Sequence, residues 1–452
     1  MKRRIGLGLC AIAFAAAPAA AQDTTVVERG GGVRIGITYQ PGVRPGMLIL
    51  GGERGTALDS ARTIIARDLN YSDEFEMIAL PLGDSLTLRI RPPEEDGATG
   101  SFVPFVNYAL YAALGADFAV NVHREVDSGV VVTLYDVQGD VVRRELRIPN
   151  LDPEARGFRL RVHRIADEIV RAVTGVPGVA ATQILFINAG RIYRVDFDGH
   201  TVEGLSTPGI NAMSPTWAPD GRHAVFTEFL DNGQGSLYLL DLDTGRRQVI
   251  PPTVGTLNYA PEFSPDGTTL AFTRSDGEGT DIYTYNLADG CCLQRLTVGG
   301  FSDNLSPTYS PDGRRIAYVS NLPGYTQIYI MESDGTGQEL FAPFQYGVSG
   351  ESHAPEWSPD GLNIAFDRYV SKVSQVFLMD VGNLVVRQLT SLGRNTDPTW
   401  APDARHIAFV SSRTGSNQVW IIDMETGRVR QLTRLGEARL PAWSPRIAER
   451  TN

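Results

Sequence analysis

The sequence predicts a mainly β protein, with a C-terminal six-bladed β-propeller over residues 177–452 preceded by a small α/β domain within residues 22–176. Three observations predict it. First, one motif recurs without gaps: PTWAPDGRHAVFTE from Pro215, PEFSPDGTTLAFTR from Pro261, PTYSPDGRRIAYVS from Pro307, PEWSPDGLNIAFDR from Pro355 and PTWAPDARHIAFVS from Pro398, with a truncated PAWSPR from Pro441. Second, the motif's second proline falls at 219, 265, 311, 359, 402 and 445, in steps of 46, 46, 48, 43 and 43 residues. A period of that length accommodates four short strands and their turns. Third, the last unit supplies a single strand, and the three it lacks stand ahead of the first motif: ILFIN (184–188), RIYRVD (191–196) and VEGLS (202–206). One blade is therefore expected to draw on both ends of the region, giving six blades rather than five.

Each unit has its own physical logic. An aromatic-containing strand ends in S/A-P-D-G, where proline presets φ and Asp-Gly supplies a tight turn. An apolar strand such as HAVFTE or RIAYVS follows, then one such as SLYLLDL or QVWIIDM, then a polar edge strand such as VRQLT. A single sheet of this size cannot bury both faces alone, and radial stacking lets each cover its neighbours. Trp217, Phe263, Tyr309, Trp357, Trp400 and Trp443 share one slot of the repeat and read as packing residues between blades.

Ahead of the repeats the rhythm changes. VRIGITY and MLILGG read as strands, ALDSARTIIARDLN (57–70) as an amphipathic helix and FVNYALYAALG (105–115) as another. DFAVNVHR and GVVVTLYDV form an expected hairpin. GFRLRVHRIADEIVRAVTG is the strongest helix: Phe158, Val162, Ile165, Ala166, Ile169, Val170 and Val173 make one stripe, and Gly175 is placed as its C-cap. VPGVAAT links this domain to the propeller.

The N-terminus has the form of a signal peptide, residues 1–21: Lys2, Arg3 and Arg4, an apolar run from Ile5 to Ala17, and an A-x-A site at Ala19–Ala21. The run is shorter than the twenty or so residues a membrane span needs, so an exported, cleaved chain is expected. Removing three positive charges takes the formal charge from −11 to −14. Region 22–176 holds 22 acids against 17 bases and region 177–452 holds 30 against 21, which argues against nucleic acid and anionic lipid as partners. After cleavage only Cys291 and Cys292 remain; they read as turn residues, unpaired or incidentally oxidised, and not as a disulfide framework.

Signals for catalysis are absent. The sequence contains no G-x-S-x-G, H-E-x-x-H, P-loop or G-x-G-x-x-G. Its six histidines, at 123, 163, 200, 223, 353 and 406, are scattered without metal spacing. Asp220, Asp266, Asp312, Asp360 and Asp403 repeat at one turn per blade, so turn chemistry accounts for them. Propeller repeats also precede the hydrolase domain of prolyl oligopeptidase-like enzymes, but only seven residues follow Pro445 here, so no such domain is expected. The reading is a non-enzymatic protein without metal or other cofactor. The alternative is a periplasmic propeller that binds or hydrolyses a small ligand or peptide in its channel.

VHRIADEIVRAVTGVPGVAATQILFI (162–187), ADFAVNVHREVDSGVVVTLYDV (116–137), the S-P-D-G repeats and the terminal PAWSP together resemble the TolB family of periplasmic propeller proteins of the Tol-Pal system. The resemblance runs from about Val33 to the C-terminus. It implies two protein partners, the lipoprotein Pal at one mouth of the propeller and TolA at an extended N-terminal segment. The implied role is in outer-membrane invagination during division and in outer-membrane integrity, with contacts to other outer-membrane proteins open. The family's TolA-binding pattern matches Val33, Arg34, Ile35, Gly36, Ile37 and Thr38. Alternating Val33, Ile35 and Ile37 suit a strand added to a partner's sheet, or equally the first strand of the domain. Eleven residues, 22–32, precede the match, and Gly36 and Thr38 depart from the family's usual choices.

The six segments before the first motif proline should ring one channel mouth. Three positions before it stand Ala212, Asn258, Asn304, Ser352, Asn395 and Ala438; two before it stand Met213, Tyr259, Leu305, His353, Thr396 and Arg439. The expected Pal-binding mouth comprises Leu257, Asn258, Tyr259, Ala260, Asn304, Leu305, Ser306, Ser352, His353 and Asn395. The rival reading is of solvated turn residues without a partner.

Overall fold

The computed structural model describes residues 44–51, 56–79, 89–90, 104–124, 129–148, 152–155, 157–277, 279–300, 302–322, 324–341 and 350–447. The expected signal peptide and the segment Val33–Thr38 lie outside the described residues.

The α/β domain is built on a five-stranded sheet in the order Glu76–Ile78, Gly46–Ile49, Phe118–Arg124, Val130–Asp136, Val141–Ile148. The first three strands are parallel and the last two add as antiparallel hairpins. Period-2 alternation sends Met47, Val120 and Val132 to one face and Leu48, Ala119 and Tyr135 to the other. Helices α1 (Thr56–Tyr71) and α3 (Phe158–Thr174) cover the first face through Leu58, Ile65, Leu69, Val162 and Ile169. Helix α2 (Tyr108–Ala113) covers the second through Tyr111. Helix α3 ends where expected: Gly175 takes φ 86° and its N–H returns to Arg171 O. The helix expected over 105–115 is shorter, because Asn107 caps it by accepting from Leu110 N. Sequence reading missed the strand Val141–Ile148, whose residues are almost all exposed and which therefore carries no apolar pattern.

Beyond this domain the chain forms six four-stranded antiparallel sheets. Blade 1 comprises Asn211–Trp217, His223–Phe229, Gly235–Asp241 and Arg247–Val249; a single parallel pairing, Gly235 with Leu257, joins it to blade 2. Blade 2 begins at Leu257–Phe263, blade 3 at Asn304–Tyr309, blade 4 at Ser352–Trp357 and blade 5 at Asn395–Trp400. Blade 6 is assembled from both ends: Ala438–Trp443 pairs with Gln183–Asn188, which is followed by Arg191–Asp196 and Glu203–Gly204. The ladder places Ala438 opposite Asn188 and Trp443 opposite Ile184, so ordinary sheet hydrogen bonds close the ring.

Second strands are deeply buried. Every residue of His406–Ser411 is buried, as befits a strand covered by sheets on both faces. The six aromatics of the repeat slot are buried as well, and the indoles of two of them, Trp217 and Trp400, bond from one blade to the next. Trp217 Nε1 donates to Ala442 O at 3.0 Å and Trp400 Nε1 to Glu356 O at 3.0 Å. The repeated aspartates act in their turns: Asp220 Oδ1 accepts from Arg222 N and His223 N, and Asp403 Oδ1 from Arg405 N and His406 N. Cys291 and Cys292, at the start of an exposed edge strand, are joined by a disulfide.

Candidate functional site: mouth and channel of the propeller

The first strand of every blade carries the same irregularity. The ladder slips by one residue between Met213 and Thr216, Tyr259 and Glu262, Leu305 and Thr308, His353 and Glu356, Thr396 and Thr399, and Arg439 and Ala442. At each slip the residue before proline takes positive φ: Ser214 48°, Ala260 49°, Ser306 51°, Ala354 46°, Asp397 51° and Leu440 48°. Proline disfavours the right-handed helical region for its predecessor, and a bulge needs one residue out of ladder register. Repeated six times, the bulge turns the X-Pro pairs onto one axial cavity of about 290 Å³, lined by Ser214, Ala260, Ser306, Ala354, Asp397 and Leu440 with their prolines.

The position after each of these prolines, Thr216, Glu262, Thr308, Glu356, Thr399 and Ala442 around the ring, makes hydrogen bonds from blade to blade. Thr216 Oγ1 donates to Glu262 Oε2 at 3.1 Å. Glu356 Oε1 accepts from Thr399 Oγ1 at 3.0 Å and from Trp400 N at 2.8 Å. Thr399 Oγ1 in turn accepts from Trp443 N at 3.1 Å. None of these bonding partners is a cation. Burial pushes Glu262 up to about 7 against its bond from Thr216, and pushes Glu356 up to about 8 despite the bonds from Trp400 and Thr399. The channel wall thus holds one carboxyl, Glu356, mostly protonated at pH 7 and a second, Glu262, about half-protonated there. Sequence reading missed both; the only trace was the Thr/Glu alternation inside the Pro-x-aromatic triplet.

At the mouth, the two sets of residues read from the sequence separate. Asn258, Asn304, Ser352 and Asn395, expected on the binding surface, are buried. Asn258 Nδ2 donates to Gly235 O, Thr253 O and Thr256 Oγ1; Asn304 Nδ2 to Asp281 Oδ1; Asn395 Nδ2 to Gln375 Oε1. Ser352 Oγ accepts from the buried Arg368. Their place on the expected surface is corrected accordingly: these side chains tie the inner strands to the loops and strands behind them. Strand alternation turns the next residue the other way. Met213 and Arg439 are exposed, and Tyr259, Leu305, His353 and Thr396 are half-buried, so this set forms the rim. Leu257 is half-buried at the pairing that joins blades 1 and 2, while Ala260 and Ser306 line the channel.

One side of the mouth opens into a cavity of about 600 Å³ between blades 4 and 5, lined by Glu351, His353, Asp367, Lys372, Arg394 and Asp397 among others. Asp397 N lies 3.3 Å from Asp367 Oδ1. Burial and the neighbouring Asp397 carboxyl push Asp367 up to about 8. His353 is shifted down by burial, against the pull of Glu351 3.7 Å away.

The contact of the α/β domain with the propeller is chemically different. Arg67 and Arg159 of α1 and α3 reach Asp198 of blade 6, and Arg405 of blade 5 reaches Glu74 at 2.7 Å and Asp73 O at 3.1 Å. Arg428 pairs with Asp73. Two buried groups there have the residue types of a metal site, Asp68–His163–Asp198 and Asp73–His406–Asp423. The scattered histidine spacing gave no sign of either, because each set is drawn from segments far apart in sequence.

The family model for the TolB β-propeller domain matches residues 170–343 and 345–449. The chain belongs to the TolB family. Two relatives, each named Tol-Pal system protein TolB, come from Anaeromyxobacter sp. strain K and Alcanivorax borkumensis. The first is 33% identical over 307 residues, 65% of each chain, and the second 31% identical over 230 residues, 48% of this chain and 49% of the relative. The chain thus matches between about half and 65% of the length of these TolB relatives. The crystal structure of TolB from Acinetobacter baumannii shares the fold with TM-score 0.72 at 23% identity, covering 90% of this chain and 98% of that one.

Proposed function

We propose that this protein is a periplasmic, non-enzymatic, protein-binding component of a Tol-Pal system. In this reading it links the lipoprotein Pal at the propeller mouth to TolA at the N-terminal segment Val33–Thr38, in outer-membrane invagination during division and in outer-membrane integrity. The carrying observation is the rim: in a TolB-family propeller, six unlike side chains, Met213, Tyr259, Leu305, His353, Thr396 and Arg439, stand around one channel on a rigid sixfold bulge. A varied rim on a fixed frame suits recognition of a folded partner, since a preset backbone leaves only side chains to be ordered on binding. Support for the system comes from the relatives' shared name; the relatives' names do not specify partners.

The test is calorimetric titration of purified Pal into single alanine variants, with melting curves alongside. Tyr259→Ala or His353→Ala should weaken binding by about 2 kcal/mol, roughly thirtyfold, if a few rim positions dominate as interface energies usually do. Their melting should stay near that of the parent. The same protein lacking residues 22–38 should keep Pal and lose TolA. Parent affinity across all six rim variants would move the Pal site elsewhere.

A further inference from the structure

We propose that His406, Asp73 and Asp423 form a divalent-metal site that fastens the α/β domain to blade 5. His406 opens the second strand of that blade and Asp423 ends the third, Gln418–Asp423, while Asp73 follows the end of α1 in the other domain. The His406 side chain is almost wholly buried, and its Nδ1 lies 2.7 Å from Asp403 Oδ2. In that bond Nδ1–H donates to the carboxylate and Nε2 turns inward, the orientation that an outer-shell carboxylate gives a metal-binding histidine.

Nε2 is buried with no hydrogen-bond partner. It faces Asp423 Oδ2 at 3.6 Å and Asp73 Oδ2 at 3.7 Å. Both separations are too long for hydrogen bonds. They are close to the spacing, about 3.4 Å, of two ligand atoms each about 2.1 Å from a tetrahedral zinc ion. All three ligand atoms lie within 4.8 Å of one another. The carboxylates are held in place: Arg428 takes Asp73 Oδ1, leaving Oδ2 toward the histidine, and Glu425 N and Thr426 N donate to Asp423 Oδ1, while Arg405 Nε, 2.7 Å from Oδ2, shares the oxygen that faces the histidine.

Charge favours the same occupant. Asp73, Asp403, Asp423, Glu74 and Glu425 face Arg405, Arg428 and Arg430 in this cluster: five carboxylates against three guanidiniums, an excess of two negative charges when the imidazole is neutral. A divalent ion balances it, and any proton on Nε2 leaves as the metal–nitrogen bond forms. The second group, Asp68–His163–Asp198, fits less well. His163 Nδ1 already bonds Asp68 Oδ2, and Asp198 is neutralised by both Arg67 and Arg159. The competing occupant of the gap beside His406 is a proton, as an imidazolium shared between the two carboxylates.

The experiment uses the mature chain stripped with chelator, titrated with Zn2+ by calorimetry and with Co2+ by visible absorption, with melting recorded at each step. One equivalent should bind, give the spectrum of a low-coordinate Co2+ centre and raise Tm. His406→Gln should abolish uptake and the Tm rise, His163→Gln should keep both, and Asp403→Asn should weaken binding about ten- to a hundredfold. Should His406→Gln fail to fold, Asp73→Asn, on the other domain, is expected to lose the spectrum while keeping its near-ultraviolet circular dichroism. Absence of stoichiometric uptake, or uptake that survives His406→Gln or Asp73→Asn, overturns the proposal and leaves the imidazolium.

Discussion

The propeller ring and the junction with the α/β domain both bury carboxyl groups, yet they hold them with different partners. In the channel, Glu356 is held by a hydroxyl and a backbone N–H, and burial pushes it up to about 8. At the junction, Asp198 is also buried, which alone would raise it, but His163, Arg159 and the His200 N–H hold it below the usual carboxylate range. Partner type separates these two: neutral donors leave Glu356 raised, while His163 and Arg159 together bring Asp198 down; Glu74, beside Arg405, is still raised by burial. The ring is therefore stitched by neutral hydrogen bonds and the junction by ions.

The largest effect expected from this contrast concerns the ring. Removing residues 438–452 deletes the strand that pairs with Gln183–Asn188, exposes a buried aromatic seam and leaves an open edge. Cooperative melting should be lost at any salt concentration, because ladder bonds and apolar burial are not screened. A truncated protein that melts sharply at the parent temperature would mean that blade 6 does not close the ring.

An intermediate effect is expected at the junction. The Arg405 side chain, 11% exposed, bridges Asp423, Glu74 and Glu425. Arg405→Met strands carboxylates in a buried setting and should cost about 3 kcal/mol, read from denaturant unfolding. A loss below about 0.5 kcal/mol would show that ions do not hold the junction.

The smallest effect separates the two regions by pH. The folded pKa of Glu356, about 8, stands above its ordinary 4.5. Between those values the unfolded chain has released a proton that the folded chain retains. Its favourable contribution is complete below about 4.5 and is lost as pH rises through about 8. Glu262 acts alike up to about 7. Glu356→Gln, which mimics the neutral acid, should flatten the decline in stability from pH 5 to 8 by on the order of 2 kcal/mol. An unchanged pH profile would show that water in the channel already solvates the ionised carboxylate.

How much of this was legible beforehand depended on whether a residue's partner was near in sequence or repeated by it. The S-P-D-G turns, the apolar second strands, the aromatic slot and the α3 stripe ending at Gly175 were all readable, because each rests on local backbone preference or on a period. The rim residues Tyr259 and His353 were readable for the same reason. Their neighbours Asn258 and Asn395, one position earlier, were read onto the same surface, whereas strand alternation turns them to Gly235 O and Gln375 Oε1, partners 23 and 20 residues away.

The sequence by itself determined the blade unit, its six copies and the need to complete the last from the segment before the first, because hydrophobic period and turn chemistry act over a few residues and simply repeat. The tertiary structure alone decided which polar groups meet. Glu356 beside Thr399, and Asp73 beside His406 and Asp423, are brought together by ring closure and domain docking. Their protonation and pairing follow from burial and from partners 43 to more than 300 residues away, distances over which no local preference carries information.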